Sequence, residues 1–398
     1  MLSLIWLMLA IPLLVQIFRF AVIVWVKFIN PKDTGVVKNY NYKPTVSVII
    51  PCFNEGPAVY TTIKSICESD YPLNKIQICC QDDGSTDDSF QWMLRGQQDF
   101  PGVAVEPVQN EKNIGKSHTY LKAMDRCRNE VVLIVDSDIM LGKNCIEELM
   151  AAMGDRRIGA CGGPVGIRNP NDNSLTVFQV YFYFLWFKLA KITEAYTRNV
   201  GCIGGYMLAI RRSLLQEIKP QIETRNWWGV PIKSGEDRFL THQVILRGYG
   251  TYMNEKAMCW TIAPNTFKKF WAQQVRWRRS GVRDFFFTLR ILPKHIWDLD
   301  AGSLYSNFFV PITTIVCLIK ILSWFLKADP TAWVNIFGLI MIVVMSFILI
   351  LIVNHYHPEQ RVNNPLKLTL FGIWWLASGL FMTLLALFTL DSDSWGNR

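Results

Sequence analysis

The sequence is poor in the residues that build disulfide frameworks and zinc sites. It contains 10 cysteines but no Cys-x-x-Cys pair, and only 5 histidines, none of which stands at ligand spacing from a cysteine. Cys79 and Cys80 are adjacent, and the other cysteines are scattered. This distribution excludes a disulfide-stapled scaffold and a zinc finger, and it is typical of a protein in a reducing compartment.

Charged residues are almost missing from four stretches of the chain: 2–18, 308–326, 333–353 and 368–390. A helix of roughly 20 residues at ~1.5 Å per residue spans about 30 Å, which is the thickness of a hydrocarbon core. These runs predict a transmembrane helix within residues 1–32 and about three transmembrane helices within 303–398. A cleaved signal peptide is the alternative for the first run, but no positive side chain precedes it and no small-x-small cleavage site follows.

The net charge of +9 is concentrated beside the apolar runs. Four lysines between residues 27 and 43 follow the first run, and positive residues beside a membrane helix favour the cytoplasmic side. This predicts a multi-pass protein of the plasma membrane whose polar domain, residues 33–265, faces the cytosol. A nucleic-acid partner is the alternative for a basic chain, but the position of the charge favours anionic lipid headgroups or a diphosphate substrate.

The polar domain alternates between short β-rich runs and helical stretches. The predicted strands are Thr45–Pro51, Ile76–Asp82, Val103–Val108 and Val131–Asp136, and the predicted helices cover about 57–69, 86–97, 117–129 and 142–153. This alternation predicts a mainly parallel α/β sheet, in which ligands bind outside the carboxyl ends of the strands. Asp-Asp-Gly-Ser at 82–85 and Asp-Ser-Asp at 136–138 stand at two of those ends.

Two later segments are rich in aromatic residues. Residues 175–196 are long enough for a membrane span, but Lys188, Lys191 and Glu194 interrupt their second half, which favours an amphipathic interfacial helix. Residues 266–302 carry lysines and arginines among Phe and Trp, and they predict interfacial helices that lie under the bilayer.

The Asp-Ser-Asp motif predicts a metal site. Two carboxylates separated by one residue are able to share Mg²⁺ or Mn²⁺, and substrate phosphates usually complete the coordination of such ions. Asp136 and Asp138 are therefore candidate ligands for the metal and for a donor diphosphate. Asp82 and Asp83 are candidate acceptors of hydrogen bonds from a base N–H or a ribose hydroxyl, unless the pair only forms an Asp-Gly turn. Lys116 either lies near a phosphate of the donor or is solvated.

The two remaining motifs offer groups for an acceptor. Glu236 and Asp237 stand at the start of a helical run, where a carboxylate acts as a helix cap or as a general base that takes a proton from an acceptor hydroxyl. Gln273 and Arg276 offer an amide and a guanidinium for phosphate. Trp277 offers a flat apolar face for a sugar ring, unless the segment only contacts the membrane.

Together the motifs resemble the processive family 2 glycosyltransferases that make membrane-exported polysaccharides: hyaluronan, chitin, cellulose, Nod-factor chitooligosaccharides and type 3 capsule. They are Asp-Asp-Gly-Ser at 82–85, Asp-Ser-Asp at 136–138, Gly-Glu-Asp-Arg at 235–238 and Gln-Gln-Val-Arg-Trp at 273–277. The terminal Trp-Gly-Asn-Arg at 395–398 is similar to the Trp-Gly-Thr-Arg of hyaluronan, chitin and type 3 capsule synthases. The resemblance covers essentially the whole chain.

The resemblance implies an α/β domain of GT-A type with an α-helical transmembrane region. It implies that sugar is transferred with inversion from a UDP-sugar to a growing β-linked polysaccharide, which passes through the membrane helices. By this resemblance Asp83 and Asp138 bind the nucleotide and the metal diphosphate, and Asp237 is the base. Gln273 and Arg276 are expected to hold the diphosphate.

The same resemblance assigns the end of the chain to the acceptor. Trp277, Trp395 and Arg398 are expected beside the acceptor sugar, on the cytosolic side. Three full crossings after a cytosolic domain would leave the carboxyl terminus outside. We therefore predict that a helix break at Ser378-Gly379 turns the last segment into a re-entrant hairpin.

Two departures from the family pattern leave the identity of the sugar open. Gly-Cys-Ile-Gly-Gly at 201–205 stands where hyaluronan synthases carry Ser-Gly-Pro, and Asn397 replaces Thr. A cyclic-nucleotide-binding tail is not recognised, which argues against the cellulose synthases. The alternatives are a non-processive enzyme that glucosylates a lipid, as ceramide glucosyltransferase does, and a catalytically inactive membrane subunit that conducts or scaffolds a polymer.

Overall fold

The computed structural model describes most of the polar domain and parts of the carboxy-terminal region. The described residues are 36–189, 191, 194, 195, 198–232, 234–295, 344, 347, 348, 350, 351, 354, 355, 374, 378, 379 and 381–391. The predicted amino-terminal membrane helix and most of 303–398 lie outside these residues. Within the described part of the chain, no helix combines the length and the apolar character that a bilayer crossing requires.

The strands and α-helices described between residues 36 and 295 follow one another in this order. The first half contains β1 Val46–Cys52, α1 Ala58–Cys67, β2 Ile76–Asp82, α2 Ser89–Asp99, β3 Ala104–Gln109, α3 Lys116–Met124, β4 Val131–Val135, β5 Met140–Leu141, α4 Cys145–Met153 and β6 Ile158–Gly162. The second half contains β7 Val165–Ile167, α5 Ser174–Tyr183, β8 Met207–Arg211, α6 Arg212–Glu223, β9 Asn226–Trp227, β10 Val230–Pro231, α7 Glu236–Leu246, β11 Gly250–Met253, β12 Cys259–Thr261 and α8 Phe267–His295.

Seven strands form one mixed sheet, in the spatial order β11-β6-β8-β4-β1-β2-β3. The strands β3, β2, β1 and β4 pair in parallel, whereas β8 is antiparallel to both of its neighbours. The predicted mainly parallel sheet is therefore confirmed, with one reversed strand. A smaller sheet, β5-β12-β7, lies beside it.

The central strands are buried along their whole length. Every residue of β1, β2 and β4 is buried. Strands enclosed on both faces read as continuous apolar runs rather than as an alternation of polar and apolar residues. This is why the sequence locates β1, β2 and β4 to within one residue of their observed ends. The edge strand β3 is located equally closely, although it is partly exposed.

The helix α3 is shorter than the predicted helix at 117–129. It ends at Met124. Just beyond this end, the guanidinium of Arg126 donates to the carbonyl oxygens of Glu106 and Cys80, at 2.9 and 3.2 Å. Arg126 therefore fastens the end of the helix to β3 and β2. Such long-range contacts leave no periodic signal in the sequence.

Both aromatic segments are helical. The side chain of Asn173 accepts hydrogen bonds from the backbone N–H groups of Leu175 and Thr176, at 3.0 and 3.1 Å, and so caps α5. A π-helical turn, Phe184–Leu189, continues it. The second segment begins as one continuous helix, α8. The interfacial location of both segments stays a prediction.

Candidate active site

The first two acidic motifs lie at the carboxyl edge of the large sheet. Asp82 ends β2, Asp136 directly follows β4, and β1 lies hydrogen-bonded between these two strands. Because neighbouring strands are about 4.8 Å apart, the two motifs are separated by roughly 10 Å. Parallel α/β sheets bind their ligands at this edge.

The buried carboxylate of Asp83 holds the loop that leads into α3. It accepts hydrogen bonds from the backbone N–H groups of Ile114 and Gly115, both at 2.9 Å, and from Nδ2 of Asn110 at 3.0 Å. This loop ends at Lys116, the first residue of the helix. Asp83 therefore fixes the backbone from which the lysine side chain extends.

Asp82 holds the turn that follows its own strand. Its Oδ2 accepts a hydrogen bond from Nε2 of Gln109 at 2.7 Å and from the backbone N–H of Ser85 at 3.1 Å. Gly84 has a φ of +73°, and a Cβ there would lie 2.9 Å from the backbone of Lys112. The Asp-Gly turn considered from the sequence is thus real, and a contact with nucleotide stays a prediction.

Two threonines hold the Asp-Ser-Asp loop from opposite sides. Oγ1 of Thr62, on α1, donates to the carbonyl oxygen of Ser137 at 2.8 Å, and Oγ1 of Thr261, on β12, donates to Oδ2 of Asp138 at 3.1 Å. Asp138 is buried, whereas the side chain of Asp136 is 22% exposed. The loop is fixed by neighbouring elements, and one of its carboxylates remains partly open to solvent.

Lys116 lies at the centre of a buried charge cluster. Its Nζ is 2.5 Å from Oδ1 of Asp136, 3.3 Å from Oε1 of Glu236 and 3.5 Å from the carbonyl oxygen of Gly205. The lysine therefore joins the second acidic motif to the third, although the two lie far apart in the sequence. The alternative that Lys116 is a solvated side chain is wrong, since the residue is buried.

The cluster shifts the pKa values of its members. Burial alone lowers the pKa of Lys116, but the attraction of Asp136, Glu236 and Asp237 outweighs burial and raises this pKa above its ordinary value. Burial raises the pKa of Glu236, and repulsion from Asp237 adds to this effect against the attraction of Lys116. Lys116 stays protonated at neutral pH and compensates the negative charge around it.

We expect Lys116→Met to lower the free energy of unfolding by about 3–5 kcal/mol, because it leaves buried carboxylates without their counter-charge. Denaturant titration of the purified protein measures the loss. Lys219→Met is the matched control, since Lys219 pairs at 2.6 Å with the exposed carboxylate of Asp125. We expect less than about 1 kcal/mol there. Equal losses in the two variants would contradict the role of Lys116.

Glu236 and Asp237 form the first turn of α7, as predicted. Oδ2 of Asp237 accepts a hydrogen bond from the backbone N–H of Gly205 at 3.1 Å, and Oδ1 accepts from that of Arg238 at 2.8 Å. Glu236 is buried against Lys116, whereas Asp237 is half-buried. One carboxylate is neutralised by an ion pair, and the other is oriented by backbone groups and stays accessible.

The fourth motif lies on α8, and its tryptophan belongs to an aromatic cluster. The ring centroid of Trp277 is 5.8 Å from that of Phe187 and 6.2 Å from that of Tyr183. Phe187 lies 5.8 Å from Tyr206, which directly follows Gly205. The cluster connects the fourth motif with the loop that touches the third. Edge-to-face contacts of this kind position the indole firmly.

Gln273 and Arg276 are half-buried on the same helix. Oε1 of Gln273 accepts a hydrogen bond from Nε2 of Gln274 at 3.4 Å. The structure thus brings the first three motifs together at the sheet edge, and it connects the fourth to them through Trp277. A contact of Gln273 or Arg276 with the donor stays a prediction.

Residues near the carboxyl terminus pack along α8. Nη1 of Arg278 donates to Oγ1 of Thr383 at 2.9 Å, and Nε of Arg279 donates to Oγ1 of Thr389 at 2.8 Å. Both threonines lie in the last apolar run of the sequence. The helix of the fourth motif is therefore fastened to that run.

The structure shows no helix break at Ser378-Gly379 themselves, since both residues are helical. Oγ1 of Thr383 donates to the carbonyl oxygen of Gly379 at 2.8 Å. Residues 375–377 and 380 lie outside the described residues, so the re-entrant hairpin stays a prediction. The side chain of Arg278 takes the space beside Gly379, where a Cβ would lie 2.7 Å from Nη2. Because Gly379 has no Cβ, it leaves room for the side chain of Arg278 at this position. Trp395 and Arg398 lie outside the described residues, so their place beside the acceptor stays a prediction.

Comparison with known proteins assigns the chain to a family. Residues 44–280 match the glycosyltransferase-like family 2. The chain belongs to this family. The glycosyltransferase is similar to an N-acetylglucosaminyltransferase of Neorhizobium galegae, with 28% identity over 362 residues, which cover 89% of this chain and 80% of the relative. It is also similar to a hyaluronan synthase of Streptococcus pyogenes, with 27% identity over 377 residues that cover 91% and 84% of the two chains.

Its fold is also found in a solved structure. A mannosyltransferase from Pyrobaculum calidifontis, in complex with GDP-Man and Mn²⁺, matches with a TM-score of 0.63 and 19% identity over 94% of both chains. At this identity the likeness shows the fold alone. The predicted GT-A-type fold and the predicted class of enzyme, a family 2 hexosyltransferase, are confirmed.

Sequence reasoning missed three residues that shape this site. Thr62 and Thr261 stand in no motif, and a single hydroxyl gives no signal that a distant loop depends on it. Gly205 did give a signal, because the segment 201–205 departs from the pattern of the hyaluronan synthases. A Cβ at position 205 would lie 3.2 Å from both Cβ of Asp237 and Nζ of Lys116, so glycine permits the close approach of α7.

Proposed function

We propose that this glycosyltransferase is a membrane-embedded processive polysaccharide synthase, which transfers sugar with inversion from a UDP-sugar to a growing β-linked glycan. The observation that carries the proposal is the ion-pair cluster around Lys116, which joins the donor motif at Asp136 to the acceptor motif at Glu236 and Asp237. A donor and an acceptor have to meet at bonding distance. The names of the two relatives, an N-acetylglucosaminyltransferase and a hyaluronan synthase, support the proposal.

The donor nucleotide is assigned to the sheet edge beside Asp82 and Asp83. An ionised carboxylate is able to accept about four hydrogen bonds. Asp83 accepts three from the loop that leads into α3 in the described structure, at 2.9–3.0 Å. It would use the remaining lone pair for a base N–H or a ribose hydroxyl. Most of its effect on binding comes from holding the loop in place.

Asp136 and Asp138 fit a hard divalent cation. Among the residues that the structure describes, no group of three His, Cys, Asp or Glu side chains gathers into a metal site. Mg²⁺ is usually held by one or two carboxylates together with substrate phosphates, which is the donor set that this loop offers. Mg²⁺ or Mn²⁺ would neutralise the leaving diphosphate, and Gln273 and Arg276 would bind the phosphate oxygens.

Asp237 is assigned the role of general base. Its two oxygens are oriented by backbone N–H groups, and the side chain remains accessible, whereas Glu236 is occupied by Lys116. Asp237 takes the proton of the acceptor hydroxyl while that oxygen bonds to the anomeric carbon and UDP leaves from the opposite face, which inverts the configuration. Trp277 presents its indole face to the acceptor sugar.

The predicted membrane segments would form the path by which the glycan leaves the enzyme. The acceptor helix α8 is bonded through Arg278 and Arg279 to the last apolar run. The acceptor site and the predicted channel would therefore move together as the glycan grows. This arrangement would place catalysis on the cytosolic face of the plasma membrane, with the bilayer as a partner of the enzyme.

The purified full chain should release UDP from UDP-N-acetylglucosamine in the presence of Mg²⁺ or Mn²⁺ and form a product of many sugars. The test supplies UDP-sugars singly and in pairs, with GDP-mannose as the control donor, and measures nucleotide release and product size together. Addition of a single sugar to a lipid would contradict processivity. The absence of UDP release from every UDP-sugar would contradict the class of donor.

A further inference from the structure

Two adjacent charged residues on α8 are buried without belonging to any motif. Arg283 is 4% exposed and Asp284 is 7% exposed. They follow Trp277 by about two helical turns. Charged side chains are rarely buried unless they are paired, because desolvation costs several kcal/mol per ion. Their partners therefore indicate what the pair does.

Asp284 contacts the helix that carries the proposed base. Its Oδ1 lies 3.1 Å from Nδ1 of His242, and its Oδ2 lies 3.7 Å from Nη1 of Arg238. Arg238 is the residue after Asp237, and its backbone N–H donates to Oδ1 of Asp237 at 2.8 Å. Asp284 thus contacts the first two turns of α7.

Arg283 contacts two segments: the residue before the third motif and the end of the last apolar run. Its Nε and Nη2 donate to the carbonyl oxygen of Leu390, at 3.0 and 2.6 Å, and its Nη1 donates to Oγ of Ser234 at 3.4 Å. Ser234 stands directly before Gly235, where the third motif begins. One guanidinium therefore joins the start of that motif to the end of the last apolar run.

The packing between α7 and α8 leaves no room for a shift. Gly235 has a φ of +71°, and a Cβ there would lie 1.9 Å from Oγ of Ser280. About two turns farther along α8, Phe287 lies 5.8 Å from Phe239 and 6.0 Å from His242 between ring centroids. Ser280, Asp284 and Phe287 are spaced four and three residues apart, so they form one face of the helix.

We infer that Arg283 and Asp284 are a positioning pair, which fixes Asp237 relative to the acceptor-binding face of α8 and to the carboxy-terminal segment. The inference rests on the proposed function. Neither residue touches the reacting atoms. The pair acts by holding α8 in one register against α7, so that Asp237 and Trp277 keep a constant separation. A misplacement of about 1 Å at a reacting group lowers a rate by roughly 10²-fold.

We expect Asp284→Asn to lower kcat by about 10²-fold and to change the KM for the UDP-sugar far less. The nucleotide is bound at the edge of the sheet, and only the diphosphate is assigned to α8, through Gln273 and Arg276. Asp284→Glu retains the charge and should recover at least part of the rate. Asp125→Asn is the matched control, because it removes an exposed carboxylate from an ion pair with Lys219. It should behave as the wild type.

Wild-type kcat in Asp284→Asn would overturn the inference, and so would a donor KM that rises by as large a factor as kcat falls. If Asp284→Asn fails to fold, Arg283→Lys gives the same readout, because it retains the charge but loses the forked bonds to Leu390. A wild-type enzyme that releases no UDP from any UDP-sugar would overturn the proposed function first. That outcome is recognised before any variant is compared.

Discussion

Asp138→Asn is expected to lower the rate of sugar transfer by about 10³-fold or more, and excess chelator is expected to abolish transfer by the wild type. Oδ2 of Asp138 is held by Thr261 at 3.1 Å, so the carboxylate is already oriented. Replacing one carboxylate oxygen by an amide removes a hard, charged ligand for Mg²⁺ or Mn²⁺. The charge on the departing diphosphate then loses most of its stabilisation. UDP release at saturating donor measures the effect.

The control for this variant is Asp99→Asn. Asp99 is exposed on α2, where it accepts a hydrogen bond from the hydroxyl of Tyr60 at 2.8 Å, and it has no part in the site. The activity of Asp99→Asn should equal that of the wild type. Full turnover of the wild type in excess chelator would contradict the assignment of this loop to the metal. Full activity of Asp138→Asn, at the metal concentration used for the wild type, would contradict it as well.

Asp237→Asn should lower kcat by about 10²–10⁴-fold while the affinity for UDP stays close to that of the wild type. An amide does not accept the proton of the acceptor hydroxyl, whereas the donor nucleotide binds at the other end of the site. The amide keeps one of the two oxygens, so one of the backbone N–H groups of Gly205 and Arg238 retains its acceptor. Extension of a preformed glycan should stop. It is measured together with UDP binding, by calorimetry, on the same preparation.

Glu236→Gln separates the two neighbouring carboxylates. It removes a counter-charge of Lys116, so it should lower stability more than Asp237→Asn and impair extension less. If Glu236→Gln impaired extension more than Asp237→Asn and lowered stability less, Glu236 would be the base and Asp237 the structural carboxylate. A loss of UDP affinity in Asp237→Asn, with the rate retained at saturation, would show that Asp237 acts on the donor.

The sequence by itself determined the sheet and the edge at which the chemistry lies. The central strands are mostly apolar because they are enclosed on both faces, and that run of residues is a local property. The acidic motifs follow the strands directly, so locating the strands also located the motifs. The start of α7 was equally local, since Gly235 adopts a φ of +71° and two carboxylates follow at the positive end of the helix.

Only the tertiary structure decided what each charged side chain does. Lys116, expected near a phosphate or in solvent, is buried between Asp136 and Glu236, because a turn of α7 that comes much later in the chain closes over it. The oxygens of Asp83 accept hydrogen bonds from the distant loop that leads into α3. Arg283 and Asp284 belong to no motif. Gly379 is helical, and Arg278 packs beside it. Each of these outcomes depends on contacts between residues far apart in the sequence, and burial makes the energy of such contacts large, so no local pattern was able to reveal them.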